Sequence, residues 1–281
     1  MRKELLPLIL QTAQSDERIR AVVMNGSRVN PHAPKDIFQD YDIVYFLTEM
    51  DPFVNNQDWL DVFGERLMMQ TPEAMLIPEA TKKGHFTYLM LFADGNRIDL
   101  TLVPLSMLGN SWQFESLSLV LLDKDAVIPS LPPPNESDYL TQFPSAKEFS
   151  DCCNEFWWVS TYIAKGLWRG EITYAKEMLE SPVRAMFMQM LAWYIALEAN
   201  QPIVFGKAGK RIQTLLSPEL WQKILTTYPK AEPEQMWKAL ENMGQLFQQF
   251  ARSVADRLQL SYHEEEAQKV IAYLSWVKNL E

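Results

Sequence analysis

The sequence has few residues that could form a covalent or metal-based framework. It contains two cysteines and three histidines in 281 residues. The cysteines, Cys152 and Cys153, are neighbours, and adjacent cysteines do not readily adopt disulfide geometry. The histidines, His32, His85 and His263, are far apart and have no cysteine or acid at ligand spacing, which argues against a zinc site. The chain must therefore rely on an ordinary hydrophobic core, which its 47% of hydrophobic residues can supply.

The sequence also lacks long apolar runs and an excess of basic residues. No apolar run reaches the roughly 18 residues that a membrane-spanning helix needs, and Pro7 interrupts the first apolar stretch before it resembles a signal peptide. We therefore expect a cytoplasmic protein that does not enter a membrane. Lysine and arginine number 26 against 36 acids, a formal net charge of −10. This balance argues against nucleic-acid binding, which needs a basic surface.

The chain divides into two regions of different character. Short β-type runs alternate with helical segments in the first region, whereas the second is helical almost throughout. Between them, residues 131–137 contain three consecutive prolines, which can join neither a helix nor a strand ladder. The sequence therefore predicts an α+β fold, with a mixed-sheet domain over residues 1–135 and an all-α helical-bundle domain over residues 136–281.

Apolar periodicity predicts the individual elements. A helix is expected over residues 59–69, and Asp94-Gly95 between two apolar runs is a strong hairpin signal. A stripe of Met186, Met190 and Trp193 predicts a core face. Strands are expected at 20–24, 41–47, 86–92, 97–103 and 117–122, and helices at 146–168, 172–199, 217–227, 233–258 and 263–279.

Two short motifs in the first region follow or begin a strand. Gly26-Ser27 comes directly after a buried strand, where glycine lets a ligand approach the backbone and the amides can form an anion nest. Asp40 and Asp42 begin the strand 41–47, and because side chains alternate along a strand, both carboxylates point to the same face. Hard oxygen ligands so close together suit Mg²⁺. Taken alone, each motif is more often structural, as a simple turn or as two solvated acids.

A third acid, Asp99, lies in the strand that the predicted hairpin delivers. Ile98 and Leu100 belong to the apolar face of that strand, so Asp99 lies on the other face with Arg97. It can therefore neighbour the strand that bears Asp42, or it can be a surface acid paired with Arg97. The run 123–125, Asp-Lys-Asp, follows a strand end without a preceding Gly-Ser, and we interpret it as a structural turn.

Together these motifs form the arrangement of a nucleotidyltransferase. The sequence resembles the polymerase-β-like nucleotidyltransferases and, among them, the aminoglycoside 6-adenylyltransferase (streptomycin adenylyltransferase) family. The Gly-Ser and Asp-X-Asp motifs mark only the superfamily, whereas the runs Phe-Gln-Asp-Tyr-Asp and Cys-Cys-Asn-Glu-Phe-Trp are far more specific. The resemblance extends over nearly the whole chain. The segments that carry it are residues 25–28, 38–43, 94–102, 121–125 and 152–157.

The resemblance implies Mg²⁺-dependent transfer of AMP from ATP to a hydroxyl of a cationic aminoglycoside, with release of pyrophosphate. The implied acceptor is the 6-hydroxyl of streptomycin. Asp40 and Asp42 would hold Mg²⁺ against the triphosphate, and Asp99 would complete the metal site or accept the hydroxyl proton. The implied site lies in the cleft between the two domains. We expect a monomer or a weak homodimer that confers antibiotic resistance.

The resemblance also implies which residues bind the nucleotide. Gly26 and Ser27 would cradle the outer phosphates, and Arg28 would add positive charge there or pair with an acid of the site. The basic loop at 206–211 lacks the pattern of a P-loop, but its Lys207 and Lys210 are candidates for contact with the triphosphate. A solvated loop is the alternative for both lysines.

One face of the helix predicted at 146–168 combines acids with aromatic residues. Asp151, Glu155, Trp158 and Tyr162 follow helical spacing, and Lys165 continues the row. Acids and aromatic rings together bind guanidinium and ammonium groups, and streptomycin carries guanidinium groups. We therefore predict that this face binds the substrate, and Glu155 is an alternative to Asp99 as proton acceptor. The competing interpretation is a solvated helix face with Trp158 at a domain interface.

Two rival functions remain open at this point. One keeps the chemistry and changes the acceptor to another aminoglycoside, a lincosamide or a protein hydroxyl. The other is a degenerate nucleotidyltransferase fold that serves as a nucleotide-binding module or an antitoxin. The intact set of three acids argues against the second rival, because a site without catalysis has no reason to keep them.

Overall fold

A computed structural model describes residues 4–79 and 84–280 of the chain. The contacts divide the chain into two compact units, Met1–Asp138 and Tyr139–Glu281, which we call the N-terminal and the C-terminal unit. Among the described residues, no helix combines the length and the apolar character needed to span a bilayer. The predicted fold class is confirmed, because a mixed sheet is followed by a helical region.

In its described residues, the N-terminal unit is built on a six-stranded sheet in the order β3-β4-β5-β2-β1-β6. β2 pairs with β5 in parallel, and the other neighbours pair antiparallel. β2 is thus an interior strand, as its uninterrupted apolar run predicts. The helices of this unit are α1 (Leu6–Ser15) and α2 (Asp51–Asn55). The strands are β1 (Ile19–Asn25), β2 (Tyr41–Leu47), β3 (Arg66–Gln70), β4 (Phe86–Phe92), β5 (Arg97–Pro104) and β6 (Ser118–Asp123).

One face of this sheet packs against α1. Ile9 and Ala13 of the helix are fully buried, and they share a core cluster with Tyr45 and Leu47 of β2. The Tyr45 hydroxyl donates a hydrogen bond to the backbone carbonyl of Ile9 at 2.6 Å. This packing fixes the position of β2 and of the loops at its ends.

The helix predicted over residues 59–69 is wrong. Asp58–Phe63 form a short 3₁₀ segment, and Arg66–Gln70 form the edge strand β3, which pairs with β4. Gly64 lies between them with φ +128°, a conformation that L-residues rarely adopt. The apolar spacing at 59–63 is therefore real, but the glycine ends it, and pairing with β4 determines the structure of residues 66–70.

The C-terminal unit is helical in its described part. Its helices are α3 (Ala146–Trp168), α4 (Ile172–Met178), α5 (Arg184–Glu198), α6 (Ile212–Leu215), α7 (Pro218–Leu225), α8 (Pro233–Leu258) and α9 (Glu264–Lys278). The helix predicted over 172–199 is interrupted by a π-helical segment at Leu179–Val183, because Pro182 lacks the N–H that a regular helix needs there.

The core of this unit lies where α3, α5 and α8 pack together. Phe156 of α3 stacks on Phe247 of α8 with ring centroids 3.8 Å apart. α3 begins with a capping box in which Ser145 and Glu148 satisfy each other's backbone amides. The position of α3, which carries the predicted substrate-binding face, is therefore fixed by both its cap and its core face.

Candidate functional site

The parallel pairing of β2 with β5 brings two of the predicted acids side by side. Asp42 is the register partner of Asp99, so the predicted placement of Asp99 on a strand beside that of Asp42 is confirmed. Asp40 lies one residue before β2, at the same end of the strand. Three carboxylates therefore gather where β2 begins.

Two acids of this cluster, Asp42 and Asp40, have raised pKa values. Burial, and then the charges of Asp99 and Asp40, raise the pKa of Asp42 to about 6. Burial also raises the pKa of Asp40, against the opposing effect of the nearby Arg97 guanidinium. The cluster therefore holds more negative charge than its surroundings neutralise.

Arg97 contacts this cluster. Its Nε and Nη2 donate to the two carboxylate oxygens of Asp99 at 2.7 and 2.8 Å. The same Nε lies 3.6 Å from Oδ2 of Asp40. Within residues 4–79 and 84–280, no group of three or more histidine, cysteine or acidic side chains is arranged to hold a metal ion as it stands. Asp99 thus pairs with Arg97 and also lies beside Asp42, although from the sequence alone these two placements are alternatives.

Gly26 provides the space that Asp42 occupies. A Cβ atom on Gly26 would lie 2.3 Å from Oδ2 of Asp42, and Gly26 has φ +75°. Its amide donates a hydrogen bond to the carbonyl of Leu117 at 3.1 Å. The structure therefore does not support the prediction that this amide donates a hydrogen bond to a phosphate. The role of Gly26 is its missing side chain, which lets the carboxylate approach the backbone of the turn.

Arg28 is engaged with the loop that precedes β2. Its Nε and Nη2 donate to the carbonyls of Asp40 and Gln39 at 3.0 and 2.9 Å, and its guanidinium carbon lies 3.5 Å from the ring centroid of Tyr41. The Gln39 amide returns a hydrogen bond to the carbonyl of Ser27 at 3.0 Å. The turn that carries Ser27 and the loop that carries Asp40 are therefore tied together in both directions.

The predicted substrate-binding face divides into two parts. Asp151 and Glu155 line a cleft of about 710 Å³ in the C-terminal unit. Trp158 lies instead at the edge of a different cavity, and its Nε1 donates to the Tyr162 hydroxyl at 2.7 Å. The helical spacing is correct for all four residues, but only the two acids reach this cleft.

Aromatic and polar residues complete the cleft beside the acids. Trp193 and Gln189 of α5 line it, and so does Phe205, just before the loop with Lys207 and Lys210. Both lysines are exposed. A cleft that combines acids with a Trp ring and a Phe ring suits a cation with an apolar body.

Comparisons with known proteins identify the family of this chain. Residues 1–277 match the family described as streptomycin adenylyltransferase. The chain belongs to the streptomycin adenylyltransferase family. It is 41% identical over 261 residues to a Bacillus subtilis protein named aminoglycoside 6-adenylyltransferase, covering 92% of each chain. It is also 41% identical over 260 residues to a Campylobacter jejuni protein of that name, covering 92% of this chain and 90% of the relative.

A solved structure matches as well. The crystal structure of an aminoglycoside 6-adenyltransferase from Bacillus subtilis covers 100% of both chains at 36% identity, with a TM-score of 0.50. The chain is therefore a member of an enzyme family of nucleotidyltransferases. Within this streptomycin adenylyltransferase family member, the three acids at the start of β2 and β5 form the candidate catalytic site.

Several residues that contribute to the two sites are not identified from the sequence alone. Gln39 is mentioned there only as part of a family motif, although a polar residue next to the acidic pair could have indicated a contact near the site. Trp193 belongs to the predicted core stripe, and it is indeed buried with 5% exposure, yet it also lines the cleft. Gln189, a polar residue within the otherwise apolar α5, is the signal that one side of this helix faces a cleft.

Replacing Arg28 by lysine is expected to lower kcat for the family reaction. Lysine cannot bridge two carbonyls as the planar guanidinium does, so the loop that carries Asp40 loses its fixed position. A shift of a catalytic group by about 1 Å reduces rates by about 10- to 100-fold. Steady-state kinetics would measure it, with Arg20→Lys, which affects an exposed pair with Asp125, as the matched control. An increase in KM for ATP without a change in kcat would instead assign Arg28 to the phosphates.

Proposed function

We propose that this chain transfers AMP from ATP to a hydroxyl group of an aminoglycoside, with the 6-hydroxyl of streptomycin as acceptor and Mg²⁺ as cofactor. The observation that carries the proposal is the position of Asp42, close against Gly26 and next to Asp99 and Asp40. A polar cluster of this kind is costly to bury unless a cation neutralises it. Relatives that carry the name aminoglycoside 6-adenylyltransferase support the same reaction.

The residues at the start of β2 suit a magnesium ion. Asp40 and Asp42 offer hard oxygen ligands. Burial, and with it the charge of Asp99, raises the pKa values of both carboxyls, and the missing side chain of Gly26 makes room for the Asp42 carboxylate. When bound, the ion would neutralise triphosphate charge as pyrophosphate leaves. The carboxylates of Asp40 and Asp42 would hold the ion, and Asp99 would support them from the neighbouring strand.

The turn at 26–28 would contribute to nucleotide binding in a limited way. The Gly26 amide already donates a hydrogen bond to the carbonyl of Leu117. We therefore assign the Ser27 hydroxyl of this turn to the binding of the outer phosphates. Arg28 contributes indirectly, because its hydrogen bonds to the carbonyls of Gln39 and Asp40 hold the loop that carries Asp40. Contact of Lys207 and Lys210 with the triphosphate stays a prediction that their exposure permits.

The cleft of the C-terminal unit is the site that we assign to the cationic acceptor. Glu155 is exposed there, whereas Asp151 already pairs with Lys147 one helical turn away. Glu148, which also lines the cleft, caps α3 through Ser145, and this hydrogen bond keeps its pKa below the ordinary range. Glu155 is therefore the carboxylate best placed to pair with a guanidinium group of streptomycin.

Replacing Glu155 by glutamine is expected to raise KM for streptomycin by about tenfold or more, because hydrogen bonds to charged groups contribute about 1.5–3 kcal/mol. The KM for ATP should stay within about twofold, since the substitution keeps the shape of the side chain and changes only its charge. Glu177→Gln, an exposed position of α4 outside the cleft, is the matched control. An unchanged KM for streptomycin would contradict the assignment, and a loss confined to kcat would make Glu155 the proton acceptor.

The acceptor is tested by pyrophosphate release from ATP and Mg²⁺ with streptomycin, kanamycin, spectinomycin or lincomycin. The proposal expects release that requires streptomycin, and NMR of the product should place AMP on the 6-hydroxyl. Release with lincomycin or kanamycin alone would keep the chemistry and change the acceptor. Folded protein that binds ATP but releases no pyrophosphate with any acceptor would contradict the proposed reaction.

A further inference from the structure

Arg97 occupies the place where a cation is needed. Its guanidinium donates hydrogen bonds to both carboxylate oxygens of Asp99, which we call the two-pronged contact. Its Nε also lies 3.6 Å from Oδ2 of Asp40. Arg97 and Asp99 are two residues apart on β5, so their side chains share one face of the strand. Its charge acts on all three acids of the cluster, because Asp99, Asp40 and Asp42 together raise the pKa of Arg97.

The contact is placed so that it can be exchanged. The Arg97 side chain is 43% exposed, whereas that of Asp99 is 21% exposed. A guanidinium on the solvent side of its partner can leave without crossing protein. Such half-exposed pairs contribute at most about 1 kcal/mol, much less than a divalent ion bound by several carboxylates. The Arg97 contact therefore suits a replaceable counter-ion better than a permanent structural pair.

We propose that Arg97 is an exchangeable counter-ion of the acidic cluster, which releases Asp99 when the divalent cation binds. This inference rests on the proposed metal-binding role of Asp40 and Asp42. In the metal-free protein Arg97 holds the carboxylates together and limits their repulsion. It thereby keeps them gathered at the start of β2 and β5, and it weakens the binding of metal in the absence of the nucleotide. Arg97 is a positioning residue, because it acts through the acids.

The test compares Mn²⁺ binding to wild type, Arg97→Gln and Arg97→Lys without nucleotide, using the electron paramagnetic resonance signal of free Mn²⁺. Both variants lose the two-pronged contact, but the lysine variant keeps the positive charge. We expect Arg97→Gln to bind Mn²⁺ about fivefold more tightly than wild type, since a gain of about 1 kcal/mol corresponds to this ratio. The affinity of Arg97→Lys should lie between those of wild type and Arg97→Gln, because the competing charge remains. The melting temperature of metal-free Arg97→Gln should fall by a few degrees.

A matched control exists in the same unit. Arg18 contacts Asp16, also two residues away, through Nε and Nη2 at 3.0 and 2.6 Å, but it has no place in the acidic cluster. Arg18→Gln should leave Mn²⁺ binding unchanged.

Two results would overturn the inference and leave the proposed function intact. One is unchanged or weaker Mn²⁺ binding in Arg97→Gln. The other is Mn²⁺ binding by Arg97→Lys as tight as that by Arg97→Gln, because the charge of Arg97 would then not be what competes with the metal. Absence of Mn²⁺ binding to every protein, even with a non-hydrolysable ATP analogue, would contradict the proposed function as well.

Discussion

Replacing Asp42 by asparagine is expected to abolish AMP transfer, with a loss of about 10³-fold or more in kcat/KM, because the preorganised charge at the reacting phosphate is removed. Asp42 lies deepest of the three acids by position, on an interior strand and against Gly26. Transfer would be measured by pyrophosphate release with streptomycin as acceptor.

The same variant is expected to be at least as stable as wild type in metal-free buffer. The pKa of Asp42 is raised from 3.8 to about 6. The raised pKa adds stability to the folded state that is fully present below pH 3.8, and this contribution is lost as the pH rises through about 6. At pH 7.5 asparagine should raise the free energy of unfolding by up to about 3 kcal/mol, and the gain should vanish below about pH 4. Urea unfolding in the presence of EDTA at both pH values would measure it.

An aspartate at another strand end provides the opposite pattern. Asp123 accepts hydrogen bonds from the amides of Val127 and Ile128 at 3.0 and 2.9 Å, as its interpretation as a structural turn implies. Asp123→Asn should therefore lose about 1 kcal/mol of stability and retain transfer. If Asp42→Asn behaved in the same way, Asp42 would be a structural residue and the catalytic assignment would be wrong.

Gly26→Ala is expected to impair both stability and transfer. The new methyl group would lie 2.3 Å from Oδ2 of Asp42, a distance at which either the turn or the carboxylate must move. Displacing Asp42 should lower kcat by about 10²-fold or more, and the positive φ adds strain of about 1–3 kcal/mol. Kinetics and thermal unfolding would measure the two effects separately.

Gly109→Ala isolates the contribution of backbone strain. Gly109 has φ +73°, nearly the same as Gly26, but nothing lies within 4 Å of a Cβ at that position. The two alanine variants should therefore lose similar stability from strain, and only Gly26→Ala should lose transfer. Equal transfer in both variants would show that the approach of Asp42 to Gly26 is not needed for catalysis.

The sequence predicted those parts of the site that depend on strand periodicity. The apolar run from Ile43 to Leu47 required an interior strand, and the Asp94-Gly95 hairpin delivered Asp99 to its neighbour. Those two patterns suffice because a strand with two apolar faces has few possible positions in a sheet. The family motifs then indicated the chemistry.

Other features depend on tertiary contacts that periodicity does not encode. Arg97 could pair with Asp99 or reach Asp40, and only the parallel register of β2 and β5 allows it to do both. The helical pattern of α3 grouped Glu155 with Trp158, but the packing of α5 decides which of them reaches the cleft with Trp193. At residues 66–70, pairing with β4 overrode the helical pattern.

We propose that the acids at the start of β2 and β5 direct AMP onto streptomycin. The most direct measurement follows the label from ATP that carries ³²P at the α-phosphorus, with Mg²⁺ and streptomycin, in wild type and Asp42→Asn. We expect wild type to form labelled streptomycin together with an equal amount of pyrophosphate, and the variant to transfer no label. Transfer at a comparable rate by Asp42→Asn, or label that remains in ATP in both proteins, would contradict it.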